Sequence, residues 1–206
     1  MSRPPEPPSR PHLALVGLMG AGKSAVGREL ADLRDVRHVD LDVAVTVGVG
    51  RSIGVLFVEL GEEGFRDAEQ STLAAVLADD EPVVLSTGGG VLLREANRLS
   101  LADRAVVVWL RARPETLAER VGDGVGRPLL QAGEPVEVLG ELSVLRGPAY
   151  LAAADVIVDT DDLSVDEVAD RVMAALPDPV MALRPDHAVD FLVDSLMASA
   201  GDITLA

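Results

Sequence analysis

The 206-residue chain has no cysteine, a single lysine and only five aromatic residues: Phe57, Phe65, Trp109, Tyr150 and Phe191. Without cysteine there are no disulfides and no thiol catalysis, a composition that suits a cytoplasmic chain. With so few rings, stacking on a flat ligand must come from some other side chain. No apolar run approaches the length of a membrane span, and none implies a membrane partner. Residues 1–11 are proline-rich and lack the apolar stretch of a signal peptide, so they read as a disordered lead-in. Excess positive charge is also missing. A net charge of −16 leaves nothing to neutralise phosphates in bulk and argues against a nucleic-acid partner.

The one lysine, Lys23, stands inside Gly17-Leu18-Met19-Gly20-Ala21-Gly22-Lys23-Ser24, a complete G-x-x-x-x-G-K-S phosphate-binding loop. A compact ammonium on a flexible stem reaches the β- and γ-phosphates of a nucleotide, whereas a guanidinium is too broad for that slot. The context agrees. His12 to Val16 reads as a buried parallel strand, and Ser24 to Ala31 opens a helix, so backbone N–H groups and a helix N-terminus converge on an anion. Ser24 supplies a hydroxyl to Mg2+. As a loop side chain, Lys23 is expected to be exposed and to add little to the core.

Five apolar runs, Leu13 to Val16, Val36 to Leu41, Val83 to Ser86, Ala105 to Leu110 and Val156 to Val158, alternate with helical patterns. That alternation predicts an α/β fold with a five-stranded parallel sheet and helices on both faces. Residues 43–77 carry glycines that should break them into short helices before a regular helix from about Glu69, a stretch large enough to bind a substrate. Residues 121–133 are glycine-dense and read as a lid. Residues 177–206 read as a linker followed by an amphipathic extension, with Val189, Leu192, Val193, Leu196 and Met197 at helical spacing.

Four further features narrow the chemistry. Asp40-Leu41-Asp42 ends the second strand, where alternation puts both carboxylates on one side, near the phosphate site. Arg66 follows in Gly61 to Glu69. Gly88, Gly89 and Gly90 follow the third strand and let a ligand approach the backbone. Arg127-Pro128-Leu129-Leu130 lies in the lid, and Arg146-Gly147-Pro148-Ala149-Tyr150 precedes the last strand.

This ordered set, from His12 to Leu176, resembles the shikimate kinase family. The resemblance implies a P-loop fold like that of the nucleoside monophosphate kinases, with residues 12–176 as the kinase domain. It also implies transfer of the ATP γ-phosphate to the 3-hydroxyl of shikimate, by a cytoplasmic monomer using ATP and Mg2+. By the same resemblance Gly20, Ala21, Gly22, Lys23, Ser24 and Ala25 hold the nucleotide phosphates. Arg120 stacks on adenine, or is a solvated helix position. Asp40 and Ser24 serve Mg2+, with Asp40 either holding the ion or standing one layer behind it. Asp42 binds the shikimate hydroxyls and could act as base, or could simply cap a helix. Arg66 and Arg146 clamp the substrate carboxylate, or are surface ion-pair partners. Gly88, Gly89 and Gly90 offer backbone contacts to the ring, or form a plain turn. Arg127 closes over the transferring phosphate. Lys23, Asp42 and Arg127 are the catalytic set.

Departures from the family pattern are Thr46, Ala152 and the acidic stretch Asp159-Thr160-Asp161-Asp162, expected to loosen the substrate region and alter nucleotide affinity. The alternative is a kinase of the same fold acting on another hydroxylated acid or a cyclitol, such as gluconate. A guanine-specific switch is excluded, since its N-K-x-D motif needs a second lysine.

Overall fold

The computed structural model describes residues 10–122, 130 and 133–176. Five strands form one parallel sheet: β1 His12–Val16, β2 Arg37–Asp40, β3 Val83–Ser86, β4 Ala105–Arg111 and β5 Val156–Asp159, in the order β2-β3-β1-β4-β5. The central strands are unbroken apolar runs because the sheet is covered on both sides, as parallel sheets are. Leu13, Leu15, Val84, Leu85 and Val108 are fully buried.

Helices α1 Lys23–Arg34, α2 Leu41–Val49, α3 Ile53–Ala78, α4 Glu95–Arg104, α5 Pro114–Val121, α6 Pro135–Ala153 and α7 Val165–Ala175 complete the body. Right-handed crossovers place them. The step from β1 to β2 runs one way along the sheet and the steps from β2 to β3, β3 to β4 and β4 to β5 run the other. So α1 lies on one face, joined by α7, and α3, α4 and α6 on the other. The direction reverses at β1, and in such sheets ligands bind beyond the carboxyl ends of the strands at that reversal. The phosphate-binding loop follows β1 directly.

The glycine-broken region differs from expectation. Gly50 ends α2, but Gly54 and Gly64 stay helical, and α3 is interrupted only at Gly61 (φ 70°, ψ −174°). The regular helix therefore starts several residues before Glu69, because Phe65, Leu73, Val76 and Leu77 give it a buried stripe that outweighs glycine's low propensity. Arg10 and Pro11, given to the lead-in by composition, belong to the folded body. Pro11 is buried, and the Arg10 guanidinium makes a bidentate pair with Asp155 at 2.9–3.0 Å. The lid arginine Arg127 and the extension 177–206 lie outside the described residues.

Candidate active site

Gly17, Gly20 and Gly22 all have positive φ, the conformation that wraps the loop's N–H groups inward. Gly22 is the N-cap of α1 and brings no capping side chain, so the helix N-terminus is left to an anion. Lys23 is 9% exposed, not an exposed loop residue. Its Nζ donates to the carbonyls of Gly17 and Leu18, both at 2.9 Å. The stem folds back over the loop, so this ammonium helps hold the loop's own shape.

The two aspartates do not share one strand. β2 ends at Asp40 and the chain turns directly into α2, which places Asp42 in its first helical turn. Asp40 is the cap: its Oδ1 accepts from the N–H groups of Asp42 (3.1 Å) and Val43 (3.4 Å), and its Oδ2 accepts from the Ser24 hydroxyl at 2.6 Å. Capping, considered above for Asp42, thus falls to its neighbour and leaves the Asp42 carboxylate to face the cleft. Burial, reinforced by the nearby Asp40 charge, holds the Asp42 carboxyl above its usual range. Lys23 and Arg66 oppose that shift.

Arg66 is 7% exposed and pairs not at the surface but with Glu69, which is completely buried, at 2.8 Å. A weaker contact to Glu62 spans 3.3 Å. Burial pushes the Glu69 carboxyl up, against the pull of Arg66. From α6, Arg146 (6% exposed) donates to the Gly89 carbonyl at 3.0 Å, and the Tyr150 hydroxyl donates to the same oxygen. The carbonyls of Gly88 and Gly90 accept from Val91 and Leu93. With every carbonyl of the triple glycine engaged, N–H groups are what this loop can offer a ligand. Arg66 Nε, Glu69 Oε1 and Arg146 Nε are buried polar atoms with no hydrogen-bond partner. Such orphans are uncommon and mark a site built for a polar guest.

Arg120, exposed on α5, donates to the Thr160 hydroxyl (2.9 Å) and to the Thr160 carbonyl. That fixes the guanidinium plane. The acidic stretch beside it does not act as free negative charge. Asp159 pairs with Arg111, and Asp161 accepts from Thr116 and from the backbone and side chain of Arg113. Thr46 donates to the Asp42 carbonyl at 2.9 Å, a bond inside α2, and Ala152 is exposed.

One cleft of about 750 Å³ collects these groups. It is lined by Gly20, Gly22, Lys23, Ser24, Ala25, Asp40, Asp42, Arg66, Gly88, Gly89, Gly90, Arg120 and Arg146. Ala21 is not on its wall; it is buried, and its N–H is held by Leu18. Sequence reasoning assigned no role to Glu69, Tyr150 or Thr160. Glu69 was within reach, since a residue three positions after Arg66 shares its helix face. Thr160 was not, because forty residues separate it from Arg120.

The cleft suits Mg2+ in a particular way. Among the described residues no cluster of three or more acidic or histidine side chains could cage a metal. The Ser24 hydroxyl and Asp40 carboxylate provide a small oxygen-only set, which matches an ion that keeps most of its water and takes the rest of its shell from phosphates.

A family model described as shikimate kinase matches residues 19–177. A shikimate kinase of Caulobacter vibrioides is 44% identical over 176 residues, covering 85% of this chain and 84% of that protein. A solved shikimate kinase from Acinetobacter baumannii in complex with shikimate superposes with a TM-score of 0.76 at 34% identity, covering 81% of this chain and 92% of the other. A gluconokinase from Sinorhizobium meliloti, at 20% identity and a TM-score of 0.53 over 81% of this chain and 91% of its own, shares the fold.

Proposed function

The chain belongs to the shikimate kinase family, and we propose that it transfers the γ-phosphate of ATP to the 3-hydroxyl of shikimate, giving 3-phosphoshikimate and ADP for aromatic amino-acid synthesis. The observation that carries this reading is a charge arrangement. Two buried arginines, Arg66 and Arg146, stand in the same cleft as the ammonium of Lys23. One set of cations suits a triphosphate, and the separate pair suits a carboxylate on the acceptor, since planar guanidinium forks match that group.

In this reading the phosphate-binding loop and the α1 N-terminus bind the β- and γ-phosphates, with Lys23 exchanging its two carbonyl partners for phosphate oxygens. The Arg120 plane, steadied by Thr160, carries the adenine. Ser24 and Asp40 hold Mg2+, which when bound neutralises phosphate charge. On the acceptor side Arg66 and Arg146 hold the carboxylate, while the triple-glycine N–H groups contact the ring. Glu69 keeps Arg66 aligned.

Asp42 accepts a hydrogen bond from the 3-hydroxyl and orients its oxygen in line with the γ-phosphorus. As the new P–O bond forms and the bond to the β-phosphate oxygen breaks, the hydroxyl proton passes to the Asp42 carboxylate. A carboxylate whose pKa burial has raised is a better proton acceptor for that step. Phosphoryl transfer needs mainly positioning and charge neutralisation. Arg127 is proposed to close over the transferred group from the lid. The protein is taken to act as a cytoplasmic monomer.

A coupled assay of ADP release with shikimate, gluconate and a neutral cyclitol tests the reading. Turnover should be confined to shikimate. Equal or faster turnover of gluconate would assign the arginine pair to a different acid.

A further inference from the structure

The hydroxyl of Ser86, at the end of β3, donates to the backbone carbonyl of Lys23 at 2.8 Å. It has one proton, and that proton is used. The Nε2 of His38, 2.9 Å from the same oxygen, must therefore be the donor in its contact with Ser86. A directed chain results, from the His38 imidazole on β2 through the Ser86 hydroxyl to the first residue of α1. The residue that follows β3 repeats the device on the other side of the loop. Thr87 donates through its N–H (3.1 Å) and its hydroxyl (2.9 Å) to the Leu15 carbonyl on β1. Two successive hydroxyls thus fasten the strand before the phosphate-binding loop and the helix after it to the strand that carries the triple glycine.

Gly27 shows how tightly the first of these is built. A side chain there would place its Cβ 2.4 Å from the Ser86 oxygen and 2.7 Å from His38 Nε2. A helix interior disfavours glycine, yet α1 has one where its second turn lies on the His38–Ser86 pair.

We propose that His38 is a positioning residue for phosphoryl transfer: by donating to Ser86 it orients the hydroxyl that fixes the Lys23 backbone, and so sets where the lysine ammonium meets the nucleotide phosphates. The proposal deepens the kinase reading and rests on its assignment of Lys23. His38 touches neither substrate nor nucleotide. It acts through Ser86.

The test uses the full chain and follows kcat, both Michaelis constants and the binding of ATP in the absence of acceptor. His38→Leu removes the donor, and Ser86→Ala removes the relay. Each should weaken ATP binding and lower kcat/KM for ATP roughly two- to tenfold, the range of one hydrogen bond, and leave the KM for shikimate within twofold. His38→Gln, whose amide N–H replaces Nε2–H, should recover most of the loss. In Ser86→Ala, adding His38→Leu should cost nothing more, because the chain is already cut. Multiplicative losses, a glutamine variant no better than leucine, or a lower melting temperature with nucleotide constants unchanged would each overturn the proposal. Should His38→Leu fail to fold, Ser86→Ala and Gly27→Ala, which pushes the pair apart, give the same readouts. The ATP-binding arm does not depend on the acceptor, so a protein that binds ATP but ignores shikimate would sink the functional reading and leave this one testable.

Discussion

Arg66 and Arg146 are both buried in the same cleft, but they are not equivalent probes. Arg146 has a neutral partner, the Gly89 carbonyl, which keeps the Tyr150 hydroxyl if the arginine is lost. Arg146→Ala should therefore raise the KM for shikimate roughly ten- to a hundredfold, from a lost charge-assisted bond of about 1.5–3 kcal/mol, with little change in melting temperature. Arg66→Ala leaves Glu69 buried without its cation, so it should show the same kinetic loss plus a destabilisation of about 3–5 kcal/mol. A shikimate analogue with a neutral amide in place of the carboxylate separates the effects. Against it Arg146→Ala should cost little more than the wild type already loses. An equal loss on both ligands would mean that Arg146 only supports the loop. Lys23→Met should abolish transfer and also cost about 1–3 kcal/mol in stability, because two loop carbonyls lose a donor. Lys23→Arg should rescue poorly, and turnover near the wild type would refute the steric reason for keeping a lysine there. From sequence the residue types and their order could be read, since each motif names its chemistry. Partnership could not: that Asp40 caps α2 and that Lys23 folds onto its own loop depend on where β2 ends and how the loop closes.

The inner strands β1, β3 and β4 were readable because parallel strands buried on both faces are largely continuous apolar runs, and the structure shifts no end of the five strands by more than one residue. Helices in residues 43–77 were less so, since glycine count says nothing of the buried stripe that carries α3 through Gly64. β1 also holds a group that the apolar pattern hides. His12 is fully buried, with Nε2 bonded to the Asp79 carbonyl and Nδ1 without a partner. Burial lowers its pKa below the ordinary 6.5, and Arg104 adds to that while backbone bonds oppose it. Above pH 6.5 neither folded nor unfolded chain protonates this ring. As the pH falls below 6.5 the unfolded chain binds a proton that the folded one refuses, so stability is lost down to the lower folded pKa. His12→Gln keeps a donor and cannot titrate. Its melting temperature should fall less than that of the wild type between pH 7 and 5, and parallel curves would remove His12 from the account.

The last described residue is Leu176, whose N–H bonds the Val172 and Met173 carbonyls at the end of α7. The family match ends one residue later, at 177. Removing 177–206 should accordingly leave kcat and KM unchanged and move the melting temperature by no more than a few degrees. A large drop would show that the apolar stripe from Val189 to Met197 covers part of the core. The alternation of strand and helix foretold a parallel sheet, but strand order, the reversal at β1 and long-range pairs such as Arg10 with Asp155 come from chain crossings that no local pattern records.

The single ammonium, tucked against Gly17 and Leu18, also makes the fold self-reporting. A lysine-specific endoproteinase has one bond to cut in this chain, Lys23–Ser24, at the start of α1. Proteases bind extended backbone, so cutting requires the first turn of α1 to open, and the rate at which the fragment beginning at Ser24 accumulates measures how often it does. ATP bound to the loop should slow that rate in proportion to occupancy, giving a nucleotide affinity on a gel without acceptor, coupling enzymes or label. Cleavage at an undiminished rate under saturating ATP would place the nucleotide away from Lys23.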